Sequence, residues 1–87
     1  MKFQIRVTRD DIRKGVKDSP CNCPIARAAK RVFGTKNVNV SGEAIEVGYG
    51  YGGYETLYLP LPKAGERFVE AFDDGKPVTP QTFTVSI

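Results

Sequence analysis

The spacing of apolar residues changes twice along the chain, and this change constrains the fold more than any other feature of the sequence. In the first segment, KFQIRVT, Phe3, Ile5 and Val7 alternate with polar residues, as they do in a strand with one buried face. From Ile25 onward the apolar residues recur at helical spacing, and after Gly34 they alternate again. The pattern predicts an α+β fold in which a helix packs on antiparallel strands.

The main helix is predicted from about residue 23 to residue 33. Asn22 is a good N-cap, Pro24 falls in the first turn, where its missing N–H has no cost, and Gly34 can take the left-handed position that ends a helix. The apolar stripe that should face the sheet comprises Ile25, Ala28, Ala29 and Val32. The basic residues expected to project outward are Arg27, Lys30 and Arg31.

The remaining elements follow from the same two periods. Thr8 and Gly15 bracket a short helical turn, and a second helix, closed by Gly75, is predicted from about residue 62 to residue 74. The buried stripe of that helix should comprise Ala64, Phe68, Ala71 and Phe72. Together the elements predict one domain, residues 1–87, with an antiparallel sheet of four to five strands in which the last strand lies beside the first.

Charge is distributed unevenly along the 87 residues. Residues 1–36 contain ten Lys and Arg against three Asp, giving +7, whereas residues 37–87 contain three Lys and Arg against seven Asp and Glu, giving −4. A chain of this length supports one modest core without two lobes around a deep cleft, so a partner-binding surface is a better expectation than an enzyme active site. The basic half could attract acidic proteins or nucleic acid.

The stretch GYGYGG, residues 48–53, matches the G-x-G-x-x-G pattern of nucleotide-binding loops. In a dinucleotide-binding fold this pattern ends a strand and begins a helix whose N-terminus meets the pyrophosphate. Here the pattern leads into YETLYLPLP, which alternates like a strand, and the lysine and aspartate that serve a kinase glycine loop have no counterpart. We therefore expect the tip of a hairpin, with no bound nucleotide or other cofactor.

Four tyrosines lie on or beside this glycine-rich tip: Tyr49, Tyr51, Tyr54 and Tyr58. One interpretation places Tyr49 and Tyr51 at the rim of the core, in continuation of an inner strand face. The other makes the tyrosines an aromatic contact surface, since tyrosine presents a large area at low entropic cost and is enriched in binding hot spots. We favour the contact surface, with Tyr54 and Tyr58 as its strongest members because they alternate with the leucines of the strand.

Cys21 and Cys23 stand at the start of the main helix, where the helix dipole can stabilise a thiolate. The chain has no histidine to act as a base, two thiolates are too few for a four-ligand zinc site unless a second chain adds its own, and the one-residue gap strains an intramolecular disulfide. Cys21 lies four residues before Ile25, which favours a small apolar plug between helix and sheet. Redox or catalytic chemistry, and a metal site or disulfide shared between two chains, remain alternatives.

The basic face of the main helix is a second candidate contact surface. Solvated helix faces commonly have this composition. Binding of single-stranded nucleic acid would require the basic face and the tyrosines on one side of the molecule, since such binders combine a basic groove with stacking rings. The residues before the helix that can extend the basic face are Arg13, Lys14 and Lys17.

Two segments, CNCPIARAAKR and EAFDDGKPVTPQTFTV, make the chain similar to short accessory proteins encoded by tailed phages and prophages. The resemblance spans residues 20–33 and 70–85. It implies a small protein that acts inside a bacterial host. Proteins of this size and origin include inhibitors of host defence, among them anti-CRISPR proteins, which usually act as rigid non-enzymatic surfaces. The resemblance assigns no functional residue.

The surface features predict a non-enzymatic protein-binding module, and the resemblance implies that it inhibits a host defence complex such as CRISPR-Cas. Its partner would be a bacterial host protein or ribonucleoprotein complex, and the module would act as a monomer or a homodimer. A cytoplasmic location fits a sequence with no apolar run long enough for a membrane span and a start, MKFQIRVTRDD, without signal-peptide features. Two alternatives remain: a small nucleic-acid-binding protein that uses the basic helix face and the tyrosine hairpin, and a thiol redox protein.

Overall fold

Antiparallel strands and short helices alternate along the residues that the computed structural model describes, which are 1–50, 52 and 54–87. In chain order the elements are β1 (Lys2–Val7), α1 (Arg9–Lys14), α2 (Pro24–Phe33), β2 (Val38–Val40), β3 (Ala44–Tyr49), β4 (Glu55–Pro60), α3 (Lys63–Asp73) and β5 (Gln81–Ser86). Every strand pair among these elements is antiparallel. The α+β class predicted from the two apolar periods is therefore confirmed.

These five strands form two sheets, whereas the sequence predicts a single one. β1 pairs with β5, from Lys2 opposite Ser86 to Val7 opposite Gln81, so the first and last strands lie side by side as predicted. In the second sheet β3 lies between β2 and β4. β4 and β5 approach each other, but β4 ends at Pro60, which has no N–H for a further ladder bond.

The core lies between α2 and the inner faces of both sheets. Ile5 of β1, Ile25 of α2, Ile45 of β3 and Leu59 of β4 are completely buried. Burying each such side chain stabilises the fold by about 1.5–3 kcal/mol, so these four residues hold the helix and both sheets in one core. The small buried residues that allow the α2 backbone to lie close to the strands are Ala26, Ala28 and Ala29.

The start of α2 differs from the prediction by one residue. Cys23, not Asn22, is the N-cap: its backbone is extended, and its Sγ accepts a hydrogen bond from the Ala26 amide at 3.4 Å. Pro24 follows as the first helical residue, as expected for a residue without an N–H. The cap is therefore a thiol in place of the usual hydroxyl or amide side chain.

The last turn of α2 also differs from the prediction. The sequence places Val32 in the buried stripe, but Val32 is 42% exposed. Phe33 makes the last contact with the strands instead, with its ring centroid 5.0 Å from that of Phe3 in an edge-to-face arrangement. Gly34 ends the helix in the left-handed conformation, with a φ of 64°, as predicted.

α1 is the short helical turn predicted after Thr8. The Asp11 amide donates to Thr8 Oγ1 at 3.2 Å, and the Thr8 amide donates to Asp11 Oδ2 at 2.9 Å, which completes a capping box. Gly15 ends the helix with an extended backbone that any residue can adopt. Glycine is needed there for space, because a Cβ would lie 2.7 Å from the Pro24 ring and 2.8 Å from the Asp11 carbonyl oxygen.

α3 matches the predicted second helix closely in its bounds. Phe68 is buried at its centre, and Gly75 follows the helix with a left-handed φ of 78°. The sequence places Ala64 in the buried stripe, but Ala64 is exposed and Gly65 is buried. The reason is the side chain of Leu61, which packs over Gly65 so closely that a Cβ there would lie 3.1 Å from Leu61 Cδ2.

Candidate functional site

The β3–β4 hairpin carries tyrosines on both of its faces. Tyr49 continues the inner face of β3 beyond the buried Val47 and lies opposite Glu55 of β4. Tyr58 lies on the outer face of β4. These two side chains are 52% and 53% exposed, and Tyr54 beside the tip is 88% exposed. All three are open to a partner, but they do not share one face.

The glycine-rich tip joins two antiparallel strands. β4 follows it, where a dinucleotide-binding loop would lead into a helix. Gly50 and Gly52 have left-handed φ values of 79° and 74°, a conformation that glycine adopts without steric cost. These observations support a hairpin tip over a nucleotide-binding loop. Tyr51, also predicted in the contact surface, lies outside the described residues.

An open groove of about 440 Å³ lies between the end of α2 and the inner face of the hairpin. We call it the hairpin groove. Glycines of the hairpin form part of its lining, and the other lining residues are Phe33, Thr35, Asn37, Val47, Tyr49 and Leu57. The groove exists because the inner face of β3 continues past the end of the helix: Val47 is 3% exposed, whereas Tyr49, two residues further along, is uncovered. Tyr49 therefore belongs to the core face of its strand and is nevertheless accessible.

Two of the three basic residues predicted for the contact surface of α2 are paired with a buried carboxylate. Arg31 donates to both oxygens of Asp11, from Nη1 to Oδ1 at 2.6 Å and from Nη2 to Oδ2 at 2.5 Å. The same Nη2 group donates to the Arg6 carbonyl oxygen at 3.1 Å. Arg27 Nε lies 3.5 Å from Asp11 Oδ1 and is buried without a hydrogen-bond partner among the described residues. The α2 arginines therefore fasten α1 to α2 and leave less free charge than the sequence suggests.

Asp11 is the one fully buried charged residue in the described part of the chain. Burial would raise the pKa of its carboxyl, but hydrogen bonds from Arg31 and Thr8 outweigh this effect and lower the pKa from 3.8 to about 2. Asp11 is therefore ionised at neutral pH and offsets the charge of the arginines around it. On the surface nearby, Asp10 pairs with Arg13 at 2.6 Å, so the predicted extension of the basic face is partly neutralised as well.

A second, smaller cleft of about 250 Å³ adjoins the hairpin groove at Thr35. We call it the lysine cleft; it is lined by Lys30, Arg31, Gly34, Thr35 and Lys36. The Lys30 ammonium donates to the Cys21 carbonyl oxygen at 2.5 Å. Neither Lys30 nor Lys36 forms an ion pair with any carboxylate that the structure describes. Thr35 thus borders both the basic end of α2 and the groove that Tyr49 lines, which the sequence could not show.

The two cysteines lie in opposite environments, and the sequence places the wrong one in the apolar plug. Cys23 is buried, whereas Cys21 is exposed and donates from Sγ to Asn39 Oδ1 at 3.2 Å. Burial raises the pKa of the Cys23 thiol above its ordinary value, and the hydrogen bond from the Ala26 amide only partly offsets this. Cys23 is therefore a neutral thiol at neutral pH, although a position at a helix start suggests a thiolate.

Three residues that shape these surfaces are missed by sequence reasoning. Asp11 follows Thr8 by three positions, which is the spacing of a capping box and could have marked the aspartate as partly buried. That spacing gives no indication of its arginine partner. Phe33 and Lys36 stand on either side of the helix stop at Gly34, where an aromatic ring and a cation could have been expected at an accessible helix end.

Within residues 1–50, 52 and 54–87, no group of three or more His, Cys, Asp or Glu side chains is placed to hold a metal ion. None of the helices in that part of the chain combines the length and the apolar character of a membrane span. Comparison with known proteins gives no match to a family model, a curated protein or a solved structure. The surface of the molecule is therefore the basis for a functional proposal.

Proposed function

We propose that this protein is a non-enzymatic protein-binding module whose contact surface is the β3–β4 hairpin. One observation carries the proposal: Tyr49, Tyr54 and Tyr58 are all at least half exposed on a single hairpin. Other exposed large apolar residues, such as Val16 and Val32, are scattered along the chain. Exposed tyrosines grouped in this way are typical of protein contact surfaces.

The similarity to phage and prophage accessory proteins suggests the biological setting. In that setting the partner is a bacterial host protein or ribonucleoprotein complex in the cytoplasm of the host cell. The module inhibits a defence complex such as CRISPR-Cas by covering one of its surfaces. A hairpin held by a hydrogen-bonded ladder suits this role, because little conformational entropy remains to be lost on binding.

The charges favour a protein partner over a nucleic acid. Asp10 and Asp11 pair with arginines that would otherwise be free to contact phosphates. Residues 44–60 of the hairpin include Glu46 and Glu55 but no lysine or arginine, so phosphates that approach the tyrosines meet like charge. The neutral, buried thiol of Cys23 likewise gives the thiol redox alternative little support.

Alanine substitution of the exposed tyrosines tests the proposal. Wild-type protein and the Tyr54→Ala and Tyr58→Ala variants are immobilised, the proteins retained from a bacterial lysate are identified, and each is then purified and titrated. We expect both variants to melt close to wild type and to bind the purified partner about 30-fold more weakly, equivalent to about 2 kcal/mol. Val16→Ala and Val32→Ala remove exposed apolar residues elsewhere and should bind like wild type.

Unchanged binding by the tyrosine variants would contradict the proposal. Retention of nucleic acid in place of a protein, with an affinity that falls steeply as salt is raised, would support the nucleic-acid-binding alternative.

A further inference from the structure

The hairpin groove and the lysine cleft meet at one residue, and together they offer an apolar part and a basic part. Thr35 lines both. The groove is lined by Phe33 and Tyr49, and the cleft is lined by Lys30 and Lys36. The Lys30 ammonium is bound to the Cys21 carbonyl oxygen before the start of α2, so Lys36 supplies the charge of the cleft. The surface formed by the groove and the cleft therefore has two chemically different ends.

We propose that this surface binds a short segment of a partner protein in which a bulky apolar side chain stands next to acidic residues. The apolar side chain occupies the hairpin groove, and the carboxylates lie over the lysine cleft. The inference rests on the proposed function, since it specifies the chemistry of the protein partner.

The shape and lining of the hairpin groove select an apolar anchor. Val47 and Leu57 form its floor from neighbouring positions of β3 and β4, and they face each other across the ladder. Burial of a leucine or phenylalanine side chain there would stabilise the complex by about 1.5–3 kcal/mol, because the side chain is removed from water. Phe33 and Tyr49 provide the aromatic walls against which such a side chain packs.

Lys36 favours acidic neighbours of that anchor. Arg31 is already bound to Asp11, but no described carboxylate pairs with Lys30 or Lys36. The C-terminal end of α2 opposes them with a partial charge of only about half an elementary unit, so the cleft remains positive. A carboxylate placed over the cleft would form an exposed ion pair with Lys36, while Lys30 keeps its hydrogen bond to the Cys21 carbonyl oxygen.

Glu55 sets the direction of the bound segment and argues against a nucleic acid. It lies opposite Tyr49, and its Cγ is 3.2 Å from the position that a Cβ on Gly50 would occupy, so its charge stands at the hairpin end of the groove. Acidic residues of the partner are therefore favoured at the lysine end and disfavoured at the other. A nucleic acid strand stacked on Tyr49 would bring its phosphates against Glu55.

Selection from a displayed library of short random peptides tests the inference. The library is panned against wild-type protein, with the Lys36→Glu variant used to remove peptides that bind elsewhere. We expect the recovered peptides to combine a leucine or aromatic residue with adjacent Asp or Glu. A recovered peptide, labelled and titrated by fluorescence anisotropy, should bind Tyr49→Ala and Lys36→Glu roughly tenfold more weakly than wild type.

Two further variants make the titration specific. Glu55→Gln removes the opposing charge and should strengthen binding by about two- to fivefold. Val32→Ala alters an exposed residue outside the surface and should leave binding unchanged. In the same titration, replacing the peptide's acidic residues by their amides, or its anchor by alanine, should weaken binding to wild type.

Several outcomes would overturn the inference. The inference fails if every recovered peptide binds wild type and Lys36→Glu equally well, or if the recovered peptides lack acidic residues. It also fails if an oligonucleotide competes with the peptide for binding. Self-association of the protein that is abolished by Tyr49→Ala would show that a second copy covers the groove. If Tyr58→Ala on the outer face lost the host partner while Tyr49→Ala and Lys36→Glu kept it, the proposed function would stand and this inference alone would fail.

Discussion

Asp11 and Arg31, separated by twenty positions in the chain, form a bidentate ion pair in which both guanidinium Nη groups donate to the carboxylate, at 2.6 and 2.5 Å. Asp11 has no exposed surface, whereas Arg31 is 51% exposed. A carboxylate in this position depends on its cationic partners, because burial removes its hydration. The pair joins α1 to α2 and also decides which charges of α2 remain free at the surface.

Removal of the Arg31 guanidinium should lower the free energy of unfolding far more than removal of a surface arginine that lies at the same distance from its aspartate. Arg31→Met leaves Asp11 buried without its bidentate partner, and we expect a loss of about 3 kcal/mol in the free energy of unfolding. Arg13→Met is the matched control, since Arg13 lies 2.6 Å from Asp10 but both side chains are exposed. Arg13→Met should lower the free energy of unfolding, measured by urea denaturation, by less than about 1 kcal/mol. Equal losses would show that the buried pair contributes no more than a surface pair.

The Asp11 ion pair should also make stability depend on pH. The pKa of Asp11 is about 2 in the folded protein against an ordinary 3.8, so the unfolded chain binds this proton more readily. The resulting stabilisation, about 2 kcal/mol, is complete above about pH 5 and is lost as the pH falls through about 2. We expect the free energy of unfolding of wild type to fall more steeply with decreasing pH over this range than that of Asp11→Asn, whose amide does not titrate. Parallel pH profiles would contradict the assignment.

Gly15 should not tolerate a side chain, although its backbone conformation is open to any residue. A Cβ would lie 2.7 Å from the Pro24 ring and 2.8 Å from the Asp11 carbonyl oxygen, so Gly15→Ala must move α1 away from α2. We expect a loss of about 1–3 kcal/mol, measured by chemical denaturation. Gly42→Ala is the control, because a Cβ there meets no described atom within 4 Å, and it should change stability by less than about 0.5 kcal/mol. Similar effects at both positions would rule out the steric explanation.

The two thiols should differ sharply in reactivity. Cys21 is exposed, whereas Cys23 is buried and burial raises the pKa of its thiol. In native protein at pH 8 we expect an aromatic disulfide reagent to modify one thiol quickly and the second only as the protein unfolds, since the thiolate is the reactive form. Cys21→Ala should abolish the fast phase and Cys23→Ala the slow one. Two fast phases in the wild type would mean that the N-cap of α2 opens readily.

Adjacent residues of β4 should respond in opposite ways to truncation. Leu59 is completely buried, and Leu59→Ala should lower the free energy of unfolding by about 2–5 kcal/mol. Tyr58, on the other face of the same strand, is half exposed, and Tyr58→Ala should change stability by about 0.5 kcal/mol or less. Thermal melts of the two variants compare them directly. Comparable destabilisation would mean that the outer face of β4 is covered.

The kind and order of the elements could be predicted from the sequence because they depend on neighbours close in the chain. The change of apolar period separates β1 from α2 and α2 from β2, and the alternation along β4 places Tyr58 and Leu59 on opposite faces. Glycine likewise marks the end of α2, because the left-handed conformation at Gly34 is a local steric preference. Tyr49, Lys30 and Arg31 were predicted for a contact surface, and all three line the groove and cleft, while their role in contact stays a prediction.

The tertiary structure alone decided what depends on residues distant in the chain. Cys23 and not Cys21 is buried because the helix packs on the strands in one orientation, and Arg31 is bound rather than free because α1 carries Asp11 to it. The groove exists because α2 ends before the inner face of β3 does, which no spacing within either segment reveals. Local spacing determines which side of an element is apolar, but burial and ion pairing depend on what another element places against that side, and that is determined only when the whole core packs.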